Sequence, residues 1–349
     1  MTRTAPPWLF SRELDLAVFG GSALAALGLL FVGHMFGVLH GEAPEWVWLL
    51  CVLGVDVAHV WSSTLRIYLD PVERRRRPVL YVLAPVLALA AAIALHTWSS
   101  LAFWRGLAYL AAFHFVRQQV GWVALYRARA NDRTRWGRVI DEGATYAATL
   151  WPLLHWHAHL PRGMAWFVQG DFAAVVALRS VELAARPVAA AFALAYVVRA
   201  ALLWRRGAGN PGKDLVVVTT AACWIAGIVV VPSDFAFTVT NVLIHGIPYL
   251  ALVWTTGRRA PLAGPARGLF AAGPAVFVGL LVAVAFVEEL GWDRAVWHDR
   301  SWLFGAGGGL SAAALSVVVP LLALPQLTHY VLDGFIWRRR TSADRALLG

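Results

Sequence analysis

Ten apolar runs, each about 18 residues or longer, follow one another along this chain with short polar connections between them. A helix of that length crosses a hydrocarbon core of roughly 30 Å. In lipid the backbone must satisfy its own hydrogen bonds, so the expected fold is all-α, a polytopic transmembrane helical bundle of about 10 spans. The runs fall at about 14–39, 46–69, 79–98, 101–126, 141–159, 186–204, 214–231, 235–257, 268–290 and 311–337. Of the 349 residues 59% are hydrophobic and only 14% charged, against roughly 25% charged in soluble domains. No connection is long enough for a soluble domain, so residues 1–349 read as a single integral membrane helical domain. The longest connection, Pro161 to Arg186, reads as an outer loop with a short interfacial helix. The first run is too long for a cleaved signal sequence and reads as an uncleaved first helix.

The formal net charge is +10, yet the basic residues do not form the single patch that nucleic-acid binding needs. They cluster after even-numbered runs: Arg74 to Arg77 after the second, Arg127, Arg129, Arg133, Arg135 and Arg138 after the fourth, Arg205 and Arg206 after the sixth, Arg258 and Arg259 after the eighth, and Arg338 to Arg340 after the tenth. Under the positive-inside rule this pattern places both termini in the cytoplasm, with an even number of crossings. The expected location is the inner membrane of a bacterium, and nucleic acid is excluded as a partner. Oligomeric state is not legible. Cys51 and Cys223 lie inside apolar runs at no metal or disulfide spacing and read as small core residues.

Function has to be sought inside the bilayer. His59, His114, His245 and His329 lie within the second, fourth, eighth and tenth runs. Counted back from each basic helix end at 1.5 Å per residue, all four lie roughly 13 to 20 Å from the cytoplasmic face. Intramembrane ionisable groups are costly and mark functional sites. Polar companions stand three or four residues away, on the same helix face: Asp56 and Ser63 for His59, Gln118 for His114, Asn241 and Tyr249 for His245, Asp333 for His329. A ligating imidazole needs such an acceptor for its other N–H. The four histidines are therefore the expected metal ligands, converging on one pocket, with Asp56, Gln118, Asn241 and Asp333 orienting them. Tyr249 and Tyr330 are the expected catalytic residues lining the cavity. Imidazoles with nearby carboxylates suit iron, with zinc, copper or haem as alternatives.

Arg66 and Arg117 lie a turn or two below a histidine and are the expected substrate-binding residues, since Arg grips an anionic or acceptor group in bidentate fashion. Arg199 is expected to snorkel to the interface. His155, His157 and His159 are expected at the outer surface. Glu288 and Glu289 at the end of the ninth run, and Asp171 and Asp234 beside outer loops, are expected to remain hydrated.

Two of the histidine segments carry a family resemblance: "HFVRQQ" at His114, with a His-Phe step, and "HYVLDG" at His329, with an Asp one turn after His. In these the chain resembles bacterial carotene-cleaving dioxygenases of the Brp/Blh type, polytopic membrane enzymes with non-haem iron. It departs from them in having ten spans rather than about eight, and no His pair at i, i+4 inside the membrane. The resemblance implies an iron oxygenase of a lipophilic small molecule that reaches the site from the bilayer. Together these readings predict a metal-dependent membrane oxidoreductase. The same His, Asp and Arg residues leave open a transporter or proton-coupled carrier, or a non-catalytic membrane assembly protein.

Overall fold

The structure is a computed structural model, and it describes residues 7–337 except Gly163 and Val176. Ten long helices dominate the described residues: α1 Arg12–Met35, α2 Glu45–Tyr68, α3 Pro78–Trp98, α4 Ser100–Arg129, α5 Arg135–Ala158, α6 Leu178–Arg205, α7 Pro211–Val230, α8 Asp234–Arg259, α9 Pro274–Trp297 and α10 Ala312–Ile336. No strand occurs among the described residues. Eight of the ten are long and apolar enough to cross a membrane, α4 and α5 being the two outside that set. Arg105 and Arg117 lie within α4, and Arg135, Arg138, Asp141 and Glu142 crowd the start of α5. The basic cluster expected at Arg338 to Arg340, and with it the C-terminus, lies outside the described residues, as does the N-terminus before Pro7.

Local chemistry sets the helix ends. Ser11 caps α1 by accepting from Leu14 N, Asn210 caps α7 by accepting from Lys213 N, and Ser233 caps α8 by accepting from Ala236 N, each satisfying a backbone donor that the first turn leaves open. Pro78, Pro211 and Pro274 open α3, α7 and α9, where the missing N–H costs nothing. Two helices begin or end far from where their charges suggested. α6 starts at Leu178, inside the expected outer loop, because Glu182 and Arg186 pair one turn apart at 2.8 Å instead of breaking the helix. The ninth run divides: Gly264–Ala271 forms a separate short helix, Gly273 takes φ 102°, and α9 then continues to Trp297. A side chain is strained at that φ, which glycine tolerates.

The described chain forms two compact units. One contains residues 7–51 and 112–248, the other residues 52–111 and 249–337. In the first, α5 packs along α6 and α7. Gly143 of α5 lies against the Phe192 ring of α6 so closely that a methyl group would overlap it, the small-residue contact that lets membrane helices approach. In the second, α10 packs on α3 and on the His59 segment of α2, which also meets α9. Burial differs sharply between helices. The apolar stretch of α8, the helix of His245, is 83% buried, whereas that of α6 is 6% buried, its Leu183, Val188, Leu194 and Val197 facing outward as a lipid-facing helix requires.

Backbone wide turns of π type replace regular α turns at Trp48–Val57 and Thr238–Val242, directly before the segments of His59 and His245. Such turns recur at functional sites because the extra residue re-aims the side chains around it.

Candidate functional site

In the unit of residues 52–111 and 249–337, α2 brings His59 and α10 brings His329 together. Their ring centroids lie 5.0 Å apart, edge to face, a nitrogen of each within 4.8 Å of the other, and both are buried. His59 Nδ1 faces Asp56 Oδ1 at 3.6 Å, and His329 Nδ1 faces Asp333 Oδ1 at 3.7 Å. Ser63 Oγ reaches across to His329 Nδ1 at 3.0 Å. Tyr249 sets its ring edge-on to both imidazoles, at 5.5 Å from His59 and 5.1 Å from His329, and donates its hydroxyl to Asp333 Oδ1 at 2.6 Å. Trp337 Nε1 donates to Tyr249 Oη and to Asp333 Oδ1. Tyr330 accepts from Gln326 Nε2 at 2.7 Å, its ring 5.8 Å from that of His329.

In the unit of residues 7–51 and 112–248, α4 brings His114 to His245 of α8, with ring centroids 5.1 Å apart. Phe115 stacks face to face on His245 at 3.7 Å and leans on Trp166. Asn241 donates to Phe237 O and Thr240 Oγ1, and its Oδ1 is buried with no hydrogen-bond partner among the described residues. The Gln118 amide, one turn from His114, is buried with neither its oxygen nor its nitrogen paired there, while neighbouring Gln119 accepts from Thr220 Oγ1.

The structure thus brings the expected histidines together as two pairs, one in each unit. Ser63, expected beside His59, instead serves His329. Tyr249, expected beside His245, meets His59, His329 and Asp333. Phe115 and Trp337 are not legible in the sequence as neighbours of these histidines, because apolar stacking and an indole donor leave no signature in hydropathy. Arg117 donates to the Tyr146 hydroxyl. Arg66 is buried, with its guanidinium carbon 5.3 Å from the Trp337 ring centroid.

Other expectations are corrected. Arg199 does not snorkel: it donates to both oxygens of Asp141 and to Asp132 Oδ2. Arg127 and Lys213 also bind Asp141, which is 0% exposed, so an ion-pair cluster ties α4, α5, α6 and α7. Local hydropathy does not reveal it, because its members are spread over more than 80 positions. Asp132, between α4 and α5, has its pKa pushed up by burial but held below the usual carboxylate range by Thr134 hydrogen bonds, the Arg127 charge and the Arg199 hydrogen bond. Glu288 is not at a helix end: α9 runs on to Trp297, and Glu288 accepts from Trp61 Nε1 at 2.5 Å and Trp292 Nε1 at 3.3 Å. Asp171 is buried and closes its own loop by accepting from Phe167 N. The outer histidines have settled partners, His155 at Glu182, His157 at Leu153 O and His159 at His155 O.

Glu73, in the short helix Pro71–Arg76, accepts from Tyr81 Oη at 2.5 Å and from Arg76 at 2.8 Å. Burial raises its pKa, but these hydrogen bonds and the Arg76 and Arg66 charges outweigh it and hold the carboxyl below its ordinary value.

The donor set fits a metal. Metal–imidazole bonds of about 2.0–2.1 Å place two ligating nitrogens roughly 3–4 Å apart, a small side-chain adjustment from the His59–His329 spacing. Buried polar atoms without hydrogen bonds are rare and need a physical explanation, of which a bound ion is one, and Asp56 Oδ1, the oxygen and nitrogen of the Gln118 amide and Asn241 Oδ1 are four such atoms near histidines in the chain. No protein-family model, curated protein or solved structure matches the chain.

Proposed function

We propose that this protein is a metal-dependent membrane oxidoreductase acting on a lipophilic substrate, with His59 and His329 of one unit and His114 and His245 of the other as its metal ligands. The observation that carries the reading is the pairing of buried imidazoles inside each unit, together with unsatisfied polar atoms at Asp56, Gln118 and Asn241. Carboxylates and hydroxyls already stand at the ring nitrogens of His59 and His329, the arrangement that fixes tautomer and ring orientation in metal sites. Thiolates are absent from the set, which favours iron over sulfur-preferring ions, with zinc, copper or haem as the lesser fits. Iron, when bound, supplies oxygen activation and electron transfer. The chain's own part is to hold the ligands, exclude water and place the substrate. Asp56 and Asp333 orient the imidazoles, Tyr249 and Tyr330 line the cavity, and Arg66 holds the polar end of the substrate.

An apolar groove of about 780 Å³ runs beside α10 and α3, lined by Leu83, Leu87, Val331 and Phe335 with Arg77 at one end, and offers a lipophilic molecule a seat next to the helix that carries His329. The basic clusters after α2, α4, α6 and α8 support a bacterial inner-membrane location with both termini cytoplasmic.

Metal analysis of detergent-purified wild type beside His59→Ala, His329→Ala and His114→Ala variants tests the proposal. At least one iron per chain, lost in the variants, is expected. Metal-free protein that still drives substrate uptake into proteoliposomes would instead make it a carrier.

A further inference from the structure

His59, Ser63 and Arg66 stand at i, i+4 and i+7 of α2 and so share one helix face. On α10 and the residue that caps its C-terminus, His329, Asp333 and Trp337 stand at the closely similar spacing i, i+4 and i+8. The two rows meet: His59 against His329, Ser63 at His329 Nδ1, and Arg66 over Trp337. Arg66 therefore lies about 10 Å along the helix axis from the level of the imidazole pair.

Arg66 is 5% exposed, and its Nε has no hydrogen-bond partner among the described residues. Its contact with the Trp337 ring uses the cation's charge but none of its five N–H donors. The nearby acids take their hydrogen bonds from other donors, and Glu73 acts on Arg66 through its charge. Glu73 accepts from Tyr81 and Arg76, Asp333 from Tyr249 and Trp337, and Asp70 from the backbone of Val72 and Ala263. A buried guanidinium in that position is otherwise costly, and the planar fork matches carboxylate and phosphate oxygens. Arg117, by contrast, is taken by Tyr146.

We infer that Arg66 receives an anionic head group, so that the substrate of the histidine site is an anionic amphiphile, a carboxylate or phosphate on a long apolar chain. The substrate role rests on the proposed oxidoreductase, whereas the anion site stands on Arg66 itself. Anchoring the head about 10 Å from the imidazoles also sets which chain carbon reaches them.

The test uses purified full-length protein stripped of metal by a chelator, so that its outcome is independent of the metal reading. Equilibrium binding of oleate, oleoyl lysophosphatidate and oleyl alcohol is compared in wild type and in Arg66→Gln, Arg66→Lys and Arg117→Gln variants. The expected result is that one or both anions bind about tenfold or more tightly than the alcohol, that Arg66→Gln abolishes the preference, that Arg66→Lys retains part of it, and that Arg117→Gln leaves it intact. Preference for oleate assigns a free fatty acid, and preference for lysophosphatidate a phospholipid head group. Equal binding of all three probes by wild type overturns the inference whether or not the variants fold, and so does a preference that survives in Arg66→Gln.

Discussion

Ser63 Oγ and His329 Nδ1 lie 3.0 Å apart, joining α2 to α10 at buried side chains. In the proposed metal site the hydroxyl would hold one ring nitrogen and leave Nε2 to the ion, the role that outer partners of metal-binding histidines play. Ser63→Ala removes that restraint without creating a large cavity. The expected result is a roughly tenfold or greater loss of metal affinity with unchanged helical circular dichroism. Unaltered affinity in a competition titration would show that the serine does not orient a ligand.

Tyr249 and Asp333 form the second tie of this unit, at 2.6 Å, with the Trp337 indole donating to both. Tyr249→Phe deprives the buried Asp333 carboxyl of a 2.6 Å hydrogen bond and is expected to cost about 1–3 kcal/mol. Tyr330→Phe, which removes the hydroxyl that accepts from the neutral Gln326 amide, is expected to cost about 1 kcal/mol. Thermal unfolding of the two variants in the same detergent ranks them, and the reverse order would contradict the assignment.

Asp141 balances Arg127, Arg199 and Lys213 with no exposure to solvent. Asp141→Asn leaves buried cations undercompensated and is expected to destabilise the protein by about 3–5 kcal/mol. The Arg138–Glu142 pair, whose arginine side chain is 70% exposed, is expected to cost less than about 1 kcal/mol when Arg138 becomes Gln. Chemical denaturation in mixed micelles measures both, and comparable losses would refute the cluster's structural role.

Glu73 supplies a pH dependence. Its folded pKa lies below its ordinary value, so the stability it contributes is fully present above about pH 4.3, the unfolded glutamate value, and is lost as pH falls through the folded value. Wild type should therefore lose melting temperature below about pH 4 more steeply than Glu73→Gln, whose neutral amide does not titrate. Parallel curves would exclude this linkage.

The sequence alone determined that the chain is helical with membrane-spanning segments, where eight of its ten long helices lie to within several residues, and which polar side chains are carried into apolar surroundings, while the start of α6 and both ends of α9 were not legible. Hydropathy and helix length are local properties of a segment facing lipid, and the chain states them residue by residue. Only the tertiary structure decided partners. It matched His59 with His329 and His114 with His245, turned Ser63 from the first histidine to the last, enclosed Arg199 among carboxylates, and left Arg66 beside an indole. The physical reason is that neighbour and rotation are set by packing between helices distant in the chain. The wide turns at Trp48–Val57 and Thr238–Val242 add to this, since they alter the rotation on which a same-face argument depends and leave no trace in composition.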